Sequence, residues 1–324
     1  MMPTNISIII ATRNREKILW ETVAKACDAI ANKNAEIIII NDGDTALTVP
    51  TRLQTGVRHF SNPKKGVSSA RNFGVQQASG NILFFIDDDM WISGASIDWI
   101  NTRFAEEENT RSVYFINWEY PPELNDRLKQ SKVGRYIVGA DYNRLWGKMH
   151  QQATQPAAGL YKYDKLGSCS LVMSKAVFNK AGGYNEAIIF AGEDDDLANK
   201  FNRSGIPIYV VFDITLHHNH QDRLEINSFL KRIYDGAGSE YRALKSGNFN
   251  QPGKTKYKGV NLLLFDLFCV TEKGWILLHR LLPNLAFLQP LQNRLIGILG
   301  GLQKYKQWKK VIAGQTKVFG FYKL

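Results

Sequence analysis

Residues 64–90 read KKGVSSARNFGVQQASGNILFFIDDDM, a helix-forming stretch that runs through a short turn into an apolar strand. The composition of Ser68–Ala78 predicts a helix. The continuous apolar run in Asn81–Ile86 predicts a strand that is buried on both faces. Three aspartates, Asp87–Asp89, follow that strand directly. A helix followed by a fully apolar strand is typical of a mostly parallel sheet covered by helices on both sides.

The preceding residues repeat this alternation of strand and helix. Apolar runs predict strands at Ile6–Ala11, Glu36–Ile40 and Val57–Phe60. Between the first two we expect a helix that is capped by Asn14 and extends to about Ala31. The order is therefore βαβαβ, and we predict an α/β fold with a Rossmann-like mixed sheet flanked by helices.

Polar clusters occur where three of these strands end. Thr12 and Arg13 follow the first strand, Asp42-Gly43-Asp44 follows the second, and Asp87–Asp89 follows the fourth. In open α/β sheets, ligands bind beyond the carboxyl ends of the strands. The sequence therefore predicts a ligand site at this edge of the sheet.

The three consecutive aspartates indicate a cation. Strand alternation predicts that Asp87 and Asp89 point to one side and Asp88 to the other. Two carboxylates on one side offer oxygen ligands to a hard divalent ion, which could also hold a diphosphate. The alternative interpretation is a solvated turn, because aspartate favours turns.

A second acidic run, Glu193–Asp196, opens another predicted helix. Acids in the first helical turn are stabilised by the helix dipole, but four of them repel one another, which would raise the pKa of one. A carboxylate with a raised pKa suits a general base for a sugar hydroxyl. Beyond the next strand, His217, His218 and His220 make one histidine metal ligand plausible, although a lone histidine there would be structural.

The sequence lacks the motifs of three classes of protein. It has no Gly-x-Gly-x-x-Gly after the first strand, which speaks against a usual nicotinamide or flavin site. It also has no P-loop, and no Gly-x-Ser-x-Gly elbow of a serine hydrolase. The three cysteines are widely separated, which favours a reduced, cytoplasmic compartment over a disulfide framework. We find no secretory signal and no apolar run of the roughly 18 residues that a membrane-spanning helix needs.

The net charge of +11 resides entirely in the last third of the chain. Residues 1–220 hold 24 Lys/Arg and 24 Asp/Glu, whereas residues 221–324 hold 17 and 6. We therefore predict a catalytic domain over 1–220 and a helical basic extension over 221–324. In the extension, five apolar residues are predicted to share one helical stripe, followed by a basic cluster: Leu288, Leu291, Leu295, Ile298 and Leu302, then Lys304, Lys306, Lys309 and Lys310.

An apolar stripe beside a basic cluster favours an anionic membrane surface as partner, with nucleic acid much less favoured. The protein would then be peripheral on the inner face of the membrane. The alternative interpretation is a helical cap that folds onto the main domain and leaves a solvated basic face.

Four linked blocks resemble the family 2 glycosyltransferases with the GT-A fold. SIIIATRNREKIL is similar to their first strand and nucleotide-binding turn, and IIIINDGD to their second strand. The stretch 64–90 resembles their Ala-Arg-Asn-x-Gly helix and the strand that carries the metal-binding aspartates. GGYNEAIIFAGEDDDLANKFNRSG is similar to the blocks that place the acceptor base. The resemblance covers residues 5 to about 220.

The resemblance implies a role for each of these residues. Thr12, Arg13 and Asp42 would line the nucleotide-base pocket, with Arg71 near the nucleotide and near Asp42. Asp87 and Asp88 would approach the ribose and the sugar. Asp89 would bind Mn²⁺ or Mg²⁺ together with His217, for which His220 is the fallback. Asp194 would be the general base, with Glu193 beside it.

We therefore predict an inverting, metal-dependent glycosyltransferase that uses a nucleoside-diphosphate sugar, a UDP-sugar in particular, and a saccharide or glycolipid acceptor. Two alternatives stay open. A nucleotidyltransferase that makes sugar nucleotides is the first, but the glycine-free loop Ala11–Arg15 speaks against it. A catalytically inactive nucleotide-binding scaffold docked on membranes is the second.

Overall fold

The computed structural model describes residues 5–53, 56–141, 154–157, 159–189, 192–221, 224–245 and 260–312. The chain forms two compact units. We call the first the sheet unit; it comprises residues 1–121, 149–189 and 193–219. We call the second the helical unit; it comprises residues 122–148, 190–192 and 220–324.

Ten strands in the described residues form one mixed sheet in the sheet unit. In chain order they are β1 Ile6–Thr12, β2 Ala35–Asn41, β3 Val57–Ser61, β4 Ile82–Asp87, β5 Met90–Trp91, β6 Val113–Glu119, β7 Thr154–Ala157, β8 Leu160–Tyr163, β9 Ser170–Ser174 and β10 Ile208–His218. Their order across the sheet is β3-β2-β1-β4-β9-β6-β10-β8-β7, and β5 pairs with β10. The predicted α/β fold with a mixed sheet is confirmed.

The register of the first strands aligns their carboxyl ends. Strand β1 is parallel to both β2 and β4, and its Thr12 is opposite Asn41 while its Ala11 is opposite Asp87. Strands β1, β2 and β4 are almost completely buried, as their unbroken runs of Ile, Leu and Phe require. The polar residues that follow these three strands therefore emerge at one edge of the sheet.

Eleven α-helices occur in the described residues. They are α1 Glu16–Ile30, α2 Val67–Gln77, α3 Gly94–Phe104, α4 Pro122–Gln130, α5 Lys132–Asp141, α6 Lys175–Lys180, α7 Glu193–Arg203, α8 Ile226–Lys245, α9 Val260–Val270, α10 Glu272–Leu281 and α11 Gln289–Ile312. Helices α4, α5 and α8–α11 belong to the helical unit, and the other five to the sheet unit.

Helix α2 packs very closely on the sheet at Gly74. A Cβ atom at this position would lie 2.4 Å from Ile9 Cγ2 on β1 and 3.4 Å from Ile40 Cγ1 on β2. Contacts of 2.4 Å are far inside van der Waals distance, so only glycine fits here. This close packing fixes α2, and with it Arg71, against the strands that carry the polar edge.

Helix α1 begins differently from the prediction. It starts at Glu16, the residue before it is Arg15, and no side chain caps it. Asn14, the predicted cap, instead has a left-handed backbone with φ of 54°. The Asn14 prediction is therefore wrong, because this residue makes the turn out of β1 one position too early to cap α1.

The core of the helical unit contains residues from the C-terminal part of the predicted apolar stripe. Leu295 is 4% exposed and Leu302 is fully buried on α11, whereas Leu291 at its start is 51% exposed. The predicted stripe therefore cannot face a membrane along its whole length, because α11 packs against α5 and α8 inside this unit. Among the described residues, we find no helix that is both long and apolar enough to cross a bilayer.

Candidate functional site at the strand ends

Two buried aspartates at the end of β4 share one arginine. Asp88 is 5% exposed and Asp89 is fully buried. Arg15 donates to Asp88 Oδ1, and its Nη2 donates to Asp89 Oδ2 at 2.9 Å. Thr12 Oγ1 donates to Asp88 Oδ2 at 2.7 Å. Buried carboxylates are costly unless they are paired, so Arg15 supplies the charge compensation that this strand end needs.

The pKa of Asp88 is raised to about 7, chiefly because its burial disfavours the charged form. The positive charge of Arg15 opposes this shift, and the negative charge of Asp89 adds to it. The two neighbouring carboxylates therefore form a poorly solvated pair in which Asp88 holds a proton more tightly than an exposed aspartate does.

The predicted alternation of the three aspartates is wrong. Asp87 is separated from the other two, because it accepts a hydrogen bond from Arg71 Nη2 at 2.9 Å. Strand β4 ends at Asp87, and the chain turns before β5 begins at Met90. Strand periodicity does not apply beyond Asp87, so Asp88 and Asp89 both reach Arg15.

The end of β10 brings histidines to Asp89. Antiparallel pairing places His218 opposite Met90, and the Asn219 N–H donates to the Asp89 carbonyl at 2.7 Å. His218 Nε2 lies 2.9 Å from Asp89 Oδ1. Ligand atoms of Asp89, His218 and His220 all lie within 4.8 Å of one another, and all three residues are buried.

His217, the histidine that the resemblance favoured as a ligand, lies elsewhere. Its side chain is 41% exposed and its Nε2 lies 3.6 Å from Glu119 Oε1. The ring of His218, in contrast, packs edge-to-face on Trp118 with centroids 4.7 Å apart. The structure therefore places His218 and His220 with Asp89 and leaves His217 outside this cluster.

The residues predicted for the nucleotide base lie at the ends of β1 and β2. The Asp42 N–H donates to the Thr12 carbonyl at 2.8 Å. Asp42 Oδ1 accepts from Asn62 Nδ2 at 2.7 Å and from the Gly66 N–H at 2.9 Å. Asp42 thus holds the loop that leads into α2. Arg13, the residue after Thr12, is partly buried.

Arg71 connects β4 to the acidic helix α7. It is 5% exposed, and its Nη1 donates to Glu193 Oε1 at 3.1 Å while its Nη2 donates to Asp87. Its guanidinium also lies over the ring of Tyr184, 5.4 Å from the centroid. Glu193 Oε2 is buried and has no hydrogen-bond partner among the described residues. That oxygen can accept a hydrogen bond from a substrate hydroxyl.

Asp194 is held by a short chain of hydrogen bonds. Its Oδ1 accepts from the Ser168 N–H at 3.1 Å and from the Ser168 hydroxyl, which in turn accepts from the Tyr184 hydroxyl at 2.7 Å. Burial and the charge of Glu193 raise the pKa of Asp194 to about 7, although Arg71 opposes the shift. A carboxyl group with this pKa can take up a proton at neutral pH.

Aspartates at the end of β4 and on α7 act on one common side chain, that of Cys169. Burial raises the pKa of the Cys169 thiol well above its ordinary value, and the charges of Asp87, Asp194 and Asp89 raise it further. Carboxylates from β4, α7 and the turn after β4 therefore act on one thiol.

Three residues of this region were not singled out from the sequence. They are Arg15, Ser168 and Tyr184. Arg15 and Tyr184 lie within the quoted blocks, the first two positions after Arg13 and the second directly after Gly183. Ser168 lies outside every block, and its role depends on a contact with Asp194 that is 26 residues away in sequence.

The cluster of Asp89, His218 and His220 fits a divalent cation. It offers one carboxylate and two imidazoles with their ligand atoms already close together. Magnesium prefers oxygen ligands, whereas transition ions accept imidazole as well. The donor set therefore suits Mn²⁺ better than Mg²⁺.

Comparison with known families agrees with this geometry. The model of glycosyl transferase family 2 matches residues 7–177, which is more than half of the chain. The chain therefore belongs to glycosyl transferase family 2. The family that the resemblance indicated is confirmed, and the mixed sheet with its flanking helices agrees with the GT-A fold that the resemblance implied.

Curated relatives point to the same family. An uncharacterized glycosyltransferase of Rickettsia conorii is 35% identical over 157 residues, which are 47% of this chain and 24% of that protein. One of Rickettsia typhi is 24% identical over 75% of this chain and 70% of that protein. The Escherichia coli enzyme WfaP is 31% identical over 37% of this chain and 53% of that enzyme. The chain thus matches about a quarter of the first relative's length.

Proposed function

We propose that the chain is an inverting glycosyltransferase that takes a sugar from a nucleoside diphosphate and transfers it to a hydroxyl group. The observation that carries this proposal is the position of Arg71, which joins Asp87 at the strand end to Glu193 beside Asp194. The edge that we assign to the donor and the helix that carries the proposed base thereby contact the same buried guanidinium, that of Arg71.

We assign the nucleotide to the ends of β1 and β2. Thr12, Arg13 and Asp42 would contact the base, because parallel strands leave their ligand sites at this edge. Arg71, Asp87 and Asp88 would contact the nucleotide, ribose and sugar. Arg71 is already oriented by two carboxylates, so it needs little reorganisation to meet an anionic donor.

We assign the metal to Asp89, His218 and His220, with Mn²⁺ favoured over Mg²⁺. When bound, a divalent ion there would neutralise charge on the diphosphate leaving group. His218 replaces His217 in this assignment because only His218 lies next to Asp89. Arg15 also donates a hydrogen bond to Asp89 Oδ2. The Arg15 guanidinium would therefore have to release that oxygen for the ion to bind it.

Asp194 is the proposed general base. It removes the proton from the acceptor hydroxyl as that oxygen bonds to the anomeric carbon. The bond from that carbon to the diphosphate oxygen breaks, and the leaving nucleotide keeps the electron pair. Attack from the face opposite the leaving group inverts the anomeric carbon. Ser168 and Tyr184 keep Asp194 oriented, and Glu193 Oε2 is available to a sugar hydroxyl.

A UDP-sugar donor and a saccharide or glycolipid acceptor are the partners that we infer. Support comes from the relative WfaP, which is named as a glucosyltransferase from UDP-Glc to α-D-GlcNAc-diphosphoundecaprenol. We also infer that the protein works at an anionic membrane surface, because residues 221–324 hold 17 Lys/Arg and 6 Asp/Glu.

The proposal can be tested without knowing the acceptor. A thermal-shift screen with UDP-, GDP- and dTDP-sugars plus Mn²⁺ should identify the donor, since a bound ligand stabilises the folded state. Nucleotide release from that donor, with water as acceptor, then reports turnover. Asp194→Asn should lower this rate about a hundredfold or more and keep the thermal shift.

Asp195→Asn is the matched control for this experiment. Asp195 is the next residue on α7, is partly exposed and pairs with Lys165 at 2.8 Å. Its substitution removes the same charge one position away and should leave turnover within about threefold of the wild type. Full activity of Asp194→Asn, or equal loss in both variants, would remove Asp194 from the role of base.

A further inference from the structure

The helical unit exposes an unusual amount of apolar surface. Ten large apolar side chains between residues 263 and 291 are at least 43% exposed, and Val270, Phe287, Leu263 and Leu281 exceed 70%. We call this set the apolar face. Its members are Leu263, Leu264, Leu267, Val270, Leu277, Leu278, Leu281, Leu285, Phe287 and Leu291. Helices α9, α10 and α11 contact one another, and apolar side chains exposed in such numbers on neighbouring helices indicate an interaction surface.

The charge around the apolar face is positive. Residues 260–312 contain seven Lys/Arg and two Asp/Glu. Both acids are paired within the unit, Asp266 with Lys309 at 2.8 Å and Glu272 with Lys306. Lys273, Arg280, Arg294 and Lys304 are exposed. A partner of this surface therefore has to be both apolar and anionic.

A basic cavity of about 590 Å³ lies between α8, α9 and α11. Its lining includes Lys231 from α8 and Lys306, Lys309 and Lys310 from α11, against a single carboxylate, Asp266. The ammonium groups of Lys306 and Lys309 are paired with Glu272 and Asp266, and the four lysines still outnumber these two acids. The cavity therefore keeps a net positive charge, which suits a phosphate group that accepts hydrogen bonds through several oxygens.

Helix α9 connects the cavity to the apolar face. Asp266 and Cys269 line the cavity, whereas Leu263, Leu267 and Val270 are exposed. At 3.6 residues per turn these two sets lie on adjacent sides of the helix. A molecule with a phosphate head in the cavity could therefore place an apolar chain along α9.

We propose that α9–α11 docks the protein on an anionic phospholipid bilayer, with the apolar face in the interfacial layer and the lysine cavity on a lipid phosphate. This inference extends the membrane part of the proposed function and moves the contact from the predicted α11 stripe to α9 and α10. It does not depend on the chemistry assigned to Asp194. Buried apolar area and basic residues together give stable interfacial binding.

Sedimentation of the full chain with lipid vesicles tests the proposal. The protein should bind phosphatidylcholine vesicles that contain phosphatidylglycerol and should not bind vesicles of phosphatidylcholine alone. Leu267→Gln with Leu281→Gln should weaken binding about a hundredfold, because two exposed leucines no longer leave water. Glutamine is a good helix former, so these exposed positions should keep their helices, as circular dichroism would verify.

A charge-matched pair of variants tests the cavity. Lys231→Gln with Lys309→Gln should weaken vesicle binding about tenfold or more. Lys17→Gln with Lys180→Gln removes the same charge from exposed positions of the sheet unit and should change binding less than threefold, a threshold of roughly 0.7 kcal/mol. Equal loss in both pairs would mean that only net charge matters, which would overturn the cavity assignment.

Other results would identify a different occupant. Binding of inorganic phosphate that depends on Lys231 and Lys309, without vesicle binding, would overturn membrane docking in favour of a free-phosphate site. A dimer in analytical ultracentrifugation that the two leucine substitutions dissociate would mean that a second copy covers the apolar face. All variants should keep the thermal shift with donor and Mn²⁺, so failure here is distinguishable from failure of the proposed transferase.

Discussion

His218 Nε2 lies 2.9 Å from Asp89 Oδ1, and this contact joins the end of β10 to the end of β4. The two residues are 129 positions apart in sequence and are both buried. The short strand β5 makes the contact, because it follows Asp89 directly and pairs with His217 and His218 on β10. The proposed metal site depends on this pairing.

Substitution of the two adjacent histidines should separate their roles. We expect His218→Ala to weaken Mn²⁺ binding about tenfold or more, because a ligand is lost. His217→Ala, the matched control, should leave Mn²⁺ affinity nearly unchanged, since His217 faces Glu119 instead. Isothermal titration calorimetry measures both. The reverse order of effects would restore His217 as the ligand.

Arg15 should compete with the metal. Its guanidinium already contacts Asp88 and Asp89, so a cation at Asp89 meets a positive charge close by. We expect Arg15→Gln to raise Mn²⁺ affinity about tenfold, because that repulsion is removed. Arg58→Gln, which removes an exposed arginine paired with Glu36, is the control. Weaker Mn²⁺ binding by Arg15→Gln would show instead that Arg15 organises the ligands.

The sequence predicts the sheet and the position of its polar edge well. Strands β1, β2 and β4 are long apolar runs with polar residues after them, and a parallel sheet aligns such ends without further information. The linked motifs also identify the family, because they combine local structure with chemistry at ordinary spacing.

The choice among the histidines was beyond the sequence for a geometric reason. Strand β10 advances four residues, from Val211 to Thr215, while its partner β6 advances one, from Ile116 to Asn117. This irregularity breaks simple alternation before His217 and His218 are reached. The contact of Arg15 with two aspartates was likewise hidden, because it forms only where β4 stops being a strand.

The apolar stripe on α11 illustrates a different limit. Helical periodicity finds an apolar face but does not say what covers it. Leu295 and Leu302 are covered by other helices of the same unit, whereas leucines such as Leu267 on α9 and Leu281 on α10 are exposed. Residues 122–148, far away in sequence, belong to this unit too, and nothing in their composition indicates that.

The pKa of Asp194 predicts how activity depends on pH. With a pKa of about 7, the base is ionised above neutral pH, and the rate should fall about tenfold per pH unit below it. Asp195→Asn should keep this acidic limb, because its carboxylate is not the proton acceptor. A rate at pH values near 5 that equals the rate above 7 would contradict the assignment of Asp194.

The same pKa affects stability. A carboxyl whose pKa rises from 3.8 unfolded to about 7 folded favours folding below 3.8, and this contribution is lost as the pH rises through 7. Asp194→Asn cannot ionise, so its melting temperature should gain on that of the wild type as the pH rises across this range. A pH-independent difference between the two melting curves would argue against the raised pKa.

Gly74 should be essential for the packing of α2. Gly74→Ala places a Cβ 2.4 Å from Ile9 Cγ2, and we expect a loss of about 1–3 kcal/mol in unfolding free energy. Gly139→Ala on α5 is the control, because nothing lies within 4 Å of its Cβ position and alanine is the better helix former. Urea unfolding of both variants checks this. Equal effects would remove the packing argument for α2.

The central claim is that carboxylate and imidazole groups at the strand ends hold a cation against a nucleotide diphosphate. Anomalous diffraction from crystals grown with Mn²⁺ and UDP tests it most directly. We predict one strong manganese peak within coordination distance of the Asp89 carboxylate and the His218 imidazole, with the UDP diphosphate beside it. UDP bound with its manganese elsewhere, while Asp89 and His218 keep their direct contact, would contradict the claim.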